Sequence, residues 1–217
     1  MRLTLVALIS LLAGGSAAGE TISLFNGKNL SGWRAYLEDP NVSMDQVWSV
    51  RDGLLVCRGE PTGFLYTERD FQNFELVVEW RWAPGKEPGN SGVLMRINGP
   101  LKVIPRSYEA QLRSGDAGDL YAFHGLKMDG PPERTSRTPG HEVLGDFVGV
   151  KKVSANENAP GEWNTYRIRL AGDRVTVWVN GKQLNEAWGL EPIAGPIGLQ
   201  SEGGEIHFRK VELTTLD

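Results

Sequence analysis

Short runs in which apolar and polar residues alternate, broken by Gly, Asn, Asp or Pro, constrain this chain more than any other feature. Residues 74–82 read FELVVEWRW, with Phe74, Leu76, Val78, Trp80 and Trp82 at every second position and Glu75, Val77, Glu79 and Arg81 between them. Successive side chains of a strand point to opposite faces, so a period of two makes one face of each run apolar. The same rhythm recurs in VWSVRDGLLVCRG, GFLYTE, SGVLMRI, SYEAQLR, WNTYRIRLAGDRVTVWVNGKQL, GPIGLQSE and EIHFRKVEL. AGDR at 171–174 and Asn180-Gly181 are hairpin signals, because Asn, Asp and Gly tolerate the positive φ of tight turns. Outside the N-terminal stretch no helical period is sustained over about a dozen residues. The pattern predicts an all-β chain folded as a jelly-roll β-sandwich of two antiparallel sheets.

The first residues, MRLTLVALISLLAGGSAAGE, place Arg2 before an apolar run and small residues after it, which predicts a secretory signal over residues 1–18. The run is too short for a transmembrane anchor. A single β-sandwich domain is then expected over 19–217, periplasmic or secreted. Cys57 is the only cysteine, so no intramolecular disulfide can form. With 23 basic and 27 acidic residues the net charge is -4, which offers no broad basic face to a nucleic acid. Seven Trp with 27 Gly and 12 Pro suit an all-β protein that handles sugars. One segment, from about residue 114 to 160, loses the alternation. Leu120, Tyr121, Phe123, Met128 and Phe147 recur in it, so an ordered lid or cleft wall is expected.

Alternation sorts the charges. Glu79 and Arg81 share a face of one run, Leu94 and Arg96 a face of the next, and Glu109, Gln111 and Arg113 a face of the third. If the three runs pair side by side, these residues form one patch. That patch reads either as the solvated outside of a sandwich or as a ligand surface; three Arg, two Glu and one Gln with no Lys suit planar hydrogen bonding to a ligand. GNSG at 89–92 reads as a β-turn. His124, His141 and His207 have no metal-ligand spacing, no G-x-S-x-G elbow is present, and the E-x-D-x-x-E strand of a laminarinase-type glucanase is missing.

Four blocks in order, LFNGKNLSGW, EWRWAPGKEPGNSGVLMR, YEAQL with GDAGDLY, and the C-terminal APGEWNTYRI, VNGKQLN and GPIGLQSEGGEIHFRKVEL, together resemble the 3-keto-disaccharide hydrolase domain family. This family is also described as 3-keto-glucoside 1,2-lyase and 3-keto-2-hydroxyglucal hydratase. The resemblance implies a concanavalin-like jelly roll that cleaves 3-keto-glycosides by β-elimination and hydration, or else a non-catalytic carbohydrate-binding module of the same fold. It implies an oxidised glycoside or oligosaccharide as substrate and a sugar 3-dehydrogenase as supplier. Carried over by position, Glu109 would be the base, Arg96 the enolate stabiliser and Gln111 a third catalytic group. Glu79, Arg81, Asn90, Lys152, Glu157, Trp163 and Gln200 would bind substrate, with Lys152, Glu157 or His124 supplying an acid and Trp163 or Trp33 a stacking face. The usual continuation after YEAQ is replaced by Leu112-Arg113-Ser114, which leaves the roles of Asp116 and Asp119 open. No cofactor is required by the sequence, and no metal-ligand set is visible, although carboxylates on a concave sheet could hold a divalent ion.

Overall fold

A computed structural model describes residues 19–217. The signal segment expected at 1–18 lies outside the described residues. In chain order the strands are β1 Thr21–Ser23, β2 Trp33–Leu37, β3 Trp48–Arg51, β4 Leu54–Cys57, β5 Gly63–Thr67, β6 Phe74–Trp82, β7 Gly92–Asn98 and β8 Arg106–Gln111. They continue as β9 Leu120–Ala122, β10 Thr135–His141, β11 Gly145–Val150, β12 Asn164–Ala171, β13 Arg174–Val179, β14 Lys182–Ala187, β15 Gly198–Ser201 and β16 Ile206–Thr215. Helix among the described residues is confined to the turns Met44–Val47 and Pro132–Arg134.

The strands build two antiparallel sheets. The first has the order β14-β13-β12-β6-β16-β4-β3, with β1 also on β16; the second runs β10-β11-β9-β8-β7-β15-β5-β2. The sheets meet through Leu76, Val78, Trp80, Tyr166, Ile168 and Phe208 on one side and Val93, Met95, Tyr108, Ala110, Leu120 and Leu199 on the other. Trp80 packs on Tyr166 at 5.5 Å between ring centroids and Trp48 on Phe208 at 6.5 Å. Each such side chain contributes about 1.5–3 kcal/mol through burial, so this layer dominates stability. The result is the two-sheet sandwich that the alternation predicts.

Two expectations are corrected. First, β6 does not lie beside β7 and β8: it sits in the first sheet, between β12 and β16, while β7 and β8 pair in the second. Residues 83–91 carry the chain from one sheet to the other. Ala83 N–H donates to Glu205 O and Asn90 N–H to Gly203 O at the two ends of this crossing. Gly89 is pressed so closely on the Gly203 backbone that a Cβ there would overlap it. Alternation shows which way a side chain faces, but it is silent on which sheet a strand joins.

Second, β7 changes face midway. Val93 and Met95 enter the main core as expected, but the register with β8 shifts between Met95 and Asn98. Arg96 occupies the left-handed region at φ 53°, and Ile97 joins Leu94 and Phe64 in a small cluster on the outer side. A bulge of this kind adds one residue and reverses the alternation beyond it. Segment 114–160, which shows no alternation, nevertheless supplies β9, β10 and β11 and widens the second sheet. The β10–β11 pairing is itself irregular between Thr138 and His141.

Candidate functional site

On β8, Tyr108 and Ala110 point into the core, so Glu109 and Gln111 point out of the second sheet. The neighbouring strands set the surroundings by register. Glu109 stands opposite Leu94 on β7 and Tyr121 on β9, Gln111 opposite Gly92, and Gln200 projects from β15. Together with Asn90 from the crossing loop and Glu202 just past β15, these groups line a cavity of about 270 Å³. Its other wall is apolar, made by Ile104, Tyr121, Phe123, Leu144 and Phe147. Tyr121 and Phe123 stack with centroids 6.0 Å apart and planes within 5°, and Phe147 meets Tyr121 at 6.5 Å. One polar and one flat apolar wall match the two faces of a sugar ring.

Glu109 is only 3% exposed, and its Oε1 has no hydrogen-bond partner in the protein. The same holds for Oε1 of Gln200, which is 2% exposed, and for Oδ1 of Asn90. These three oxygens lack a partner within the protein and are acceptors available to a hydroxyl-bearing ligand. Asn90 is oriented by a 2.8 Å bond from Nδ2 to Glu202, and Gln111 by N–H donors of Leu112 and Arg113 on its Oε1. Burial, reinforced by the Glu202 and Asp119 carboxylates, holds the Glu109 carboxyl well above the usual range. Gly92 makes this packing feasible: a Cβ there would collide with Glu109 Oε1.

Of the residues expected at the site, the structure brings Glu109, Gln111, Asn90 and Gln200 together and leaves the others elsewhere. Arg96 is fully buried, with its guanidinium hydrogen-bonded to the carbonyls of Gln72, Gly172 and Glu191. The bulge has turned it away from Glu109, so a role as enolate stabiliser is corrected to a structural one. Glu79 and Arg81 follow β6 to the outer face of the first sheet. There Arg209 pairs with Glu79, and Trp163 lies under both Arg81 (4.6 Å) and Arg209 (4.5 Å). These four residues form a surface ion-pair and cation–π cluster and no part of the cavity.

Lys152 and Glu157 hold the turn before β9: Glu157 accepts from Gly115 and Ala117 N–H, and Lys152 donates to Gly115 O. His124 ties two rim loops, with Nε2 to Ile104 O at 2.9 Å and its own N–H to Leu144 O. Trp33 is core, its Nε1 donating to Leu24 O. The cleft wall expected from segment 114–160 is supplied by Tyr121, Phe123 and Phe147; sequence reasoning missed Glu202 and the parts played by Gly89, Ser91 and Gly92 of GNSG. Each residue of that tetrapeptide has a separate task, with Gly89 allowing the sheet crossing and Asn90 entering the cavity. Ser91 Oγ donates to Gln200 O, and Gly92 makes room for Glu109. Among the described residues no group of three or more His, Cys, Asp or Glu is placed to hold a metal ion.

The chain is thus a two-sheet antiparallel β-sandwich with a carboxylate-bearing cavity on the outer side of one sheet. Residues 20–214 match the 3-keto-alpha-glucoside-1,2-lyase-like domain, and the chain belongs to that family. It is 23% identical to the 3-keto-disaccharide hydrolase of Bacteroides thetaiotaomicron, across 90% of this chain and 78% of that protein. The fold is similar to that of a provisionally assigned glycosyl hydrolase from Parabacteroides distasonis. That match has a TM-score of 0.66 and 23% identity, covering 92% of this chain and 94% of the other. It is also similar to the Bacillus licheniformis β-glucanase, with a TM-score of 0.59, 14% identity and coverage of 92% and 99%.

Proposed function

We propose that this protein cleaves 3-keto-glycosides by β-elimination followed by hydration, the sum of which is hydrolysis. The observation that carries the reading is Glu109: a buried carboxylate of raised pKa with an unpartnered oxygen, in a cavity with one polar and one aromatic wall. A ketone at C3 acidifies the hydrogen on C2, and a carboxylate whose pKa is raised is a better base for it than an ordinary one. Glu109 takes that proton, and the C2–H electron pair forms an enolate with its charge on the C3 oxygen. Collapse of the enolate restores the ketone, forms C1=C2 and breaks the C1–O bond, the departing oxygen taking a proton from water. The hydroxide left by that transfer adds to C1 and Glu109 returns its proton to C2, which restores the carboxylate; the sum is addition of water across C1=C2.

Asn90, Gln111 and Gln200 are suited to orienting ring hydroxyls, and the Tyr121–Phe147 side to covering the ring face. The substrate has to come from oxidation of a glycoside at C3, which is the chemistry of a sugar 3-dehydrogenase. The secretory pattern of residues 1–18 supports action in the periplasm or outside the cell, which fractionation of the producing cell would check.

The test supplies 3-keto-trehalose or a 3-keto-glucoside to purified protein and follows release of the sugar or aglycone. Wild type should turn the substrate over, and Glu109→Gln should reduce turnover by about 10²-fold or more. Binding of the sugar without cleavage would identify a carbohydrate-binding module instead.

A further inference from the structure

An enolate needs a donor or cation at its oxygen, and with Arg96 committed to backbone carbonyls no Lys or Arg lines the cavity. Tyr121 does line it, directly across the β8–β9 pair from Glu109. Side chains facing each other in such a pair are about 5 Å apart at Cβ, which fits a base and a hydrogen-bond donor that act on adjacent carbons. We infer that the Tyr121 hydroxyl is the electrophile of the reaction, donating to the C3 oxygen, and that Lys151 and Asp119 behind it are positioning residues. The inference rests on the 3-keto-glycoside reading above.

The geometry assigns the direction of each bond. Lys151 Nζ lies 3.2 Å from the Tyr121 oxygen and 2.6 Å from Asp119 Oδ2. An ammonium only donates, so the phenol oxygen accepts from Lys151 and its own O–H is left free to donate to a ligand. Asp119 is 1% exposed, and its other oxygen accepts Lys152 N–H at 2.9 Å, so the carboxylate anchoring Lys151 is itself fixed. Burial works against the charge on Lys151, but the bonds to Asp119 and Tyr121 outweigh it and keep the ammonium protonated. The phenol, raised above its ordinary value by burial despite Lys151, stays neutral and so keeps its proton to donate. The ring stacks on Phe123 and lies close over the bare backbone of Gly149, where a Cβ would press against it. As the C2 proton moves to Glu109, charge accumulates on the C3 oxygen, and the Tyr121 O–H, polarised by Lys151, strengthens its bond there without net proton transfer. Such a preorganised donor acts on the transition state more than on the ground state.

Tyr121→Phe keeps the ring stack and removes only the donor. Two rates are followed by NMR in D₂O with a 3-keto-glucoside: exchange of the C2 hydrogen, which reports enolisation, and release of the aglycone. Both should fall by about 10²-fold with KM within threefold, the loss seen when one oxyanion donor is removed. Lys151→Met should lower both by about tenfold and Lys151→Arg should recover most of that loss, a rescue that a purely structural lysine would not show. Cleavage lost with exchange intact would put Tyr121 at the leaving group and overturn the assignment, and so would both rates staying within threefold of wild type. If wild type shows neither exchange nor cleavage, the 3-keto-glycoside reading fails and takes the inference with it. Wild-type activity with an indifferent Tyr121→Phe removes the inference alone.

Discussion

Glu109 owes its place to the lack of a side chain at Gly92. Gly92→Ala is expected to push the carboxylate aside, and because misplacing a reacting group by about 1 Å can cost 10²-fold, turnover should drop at least tenfold. A thermal melt of the same variant should move less than the activity does, since the clash falls on the side chain of Glu109, from Oε1 to Cγ, and on no backbone atom. The carboxylate also bears on stability. Its folded pKa is raised above the unfolded value, so the fold favours the protonated form, and this contribution is lost as pH rises from the unfolded toward the folded pKa. Glu109→Gln removes that penalty. It should therefore melt at a higher temperature than wild type at pH 7, with the gap closing as pH falls below about 4, the ordinary carboxylate range. For catalysis the sign reverses, and the acid limb of kcat/KM should sit above that of an ordinary carboxylate. Arg96 presents the opposite case, a charged group with every bond used. Arg96→Met leaves buried carbonyls of Gln72, Gly172 and Glu191 without their donor and should cost about 2–4 kcal/mol, read from urea unfolding.

At the level of strands, facing and sheet membership are separate questions. Trp163→Ala tests the distinction. Its contacts to Arg81 and Arg209 lie on the outer face of the first sheet, so stability should fall by about 1–2 kcal/mol while kcat/KM stays within twofold. The period of two in FELVVEWRW told correctly that Trp80 and Trp82 face inward and Glu79 and Arg81 outward. It could not tell that residues 83–91 lead into the other sheet, because that depends on the backbone contact of Gly89 with Gly203, more than a hundred residues away in the chain. The same limit hid the bulge in β7: GVLMRIN alternates without interruption, and only pairing with β8 shows that Arg96 and Ile97 have exchanged faces. Glu109 and Gln111 were legible since β8 is regular and its alternation runs unbroken. Tyr121 was legible as an aromatic residue in an irregular segment, and its partnership with Lys151 was not, because thirty residues and a bulged hairpin separate them.

Over the whole molecule the two outer faces carry different chemistry. The first sheet presents a mesh of paired charges, with Arg167 over Trp178 at 3.7 Å beside Glu75 and Arg209 with Glu79, so most of its charge is neutralised locally. The second sheet presents a cavity whose lining has two carboxylates and no cation. A neutral glycoside gains nothing from long-range attraction to such a surface, so KM for it should stay constant between 50 and 500 mM NaCl, conditions in which charge steering would be screened away (about 14 Å against about 4 Å of Debye length). The clamp made by Arg96 extends further than its own stability. It grows from β7 in the second sheet and grips Gln72 just before β6 and Gly172 in the β12–β13 turn, both belonging to the first. Neither sheet can peel from the other without breaking that grip. The amides of β7 and β12 should accordingly exchange with solvent through one shared opening event, and severing the clamp should let the sheets open separately, as two units of unequal protection.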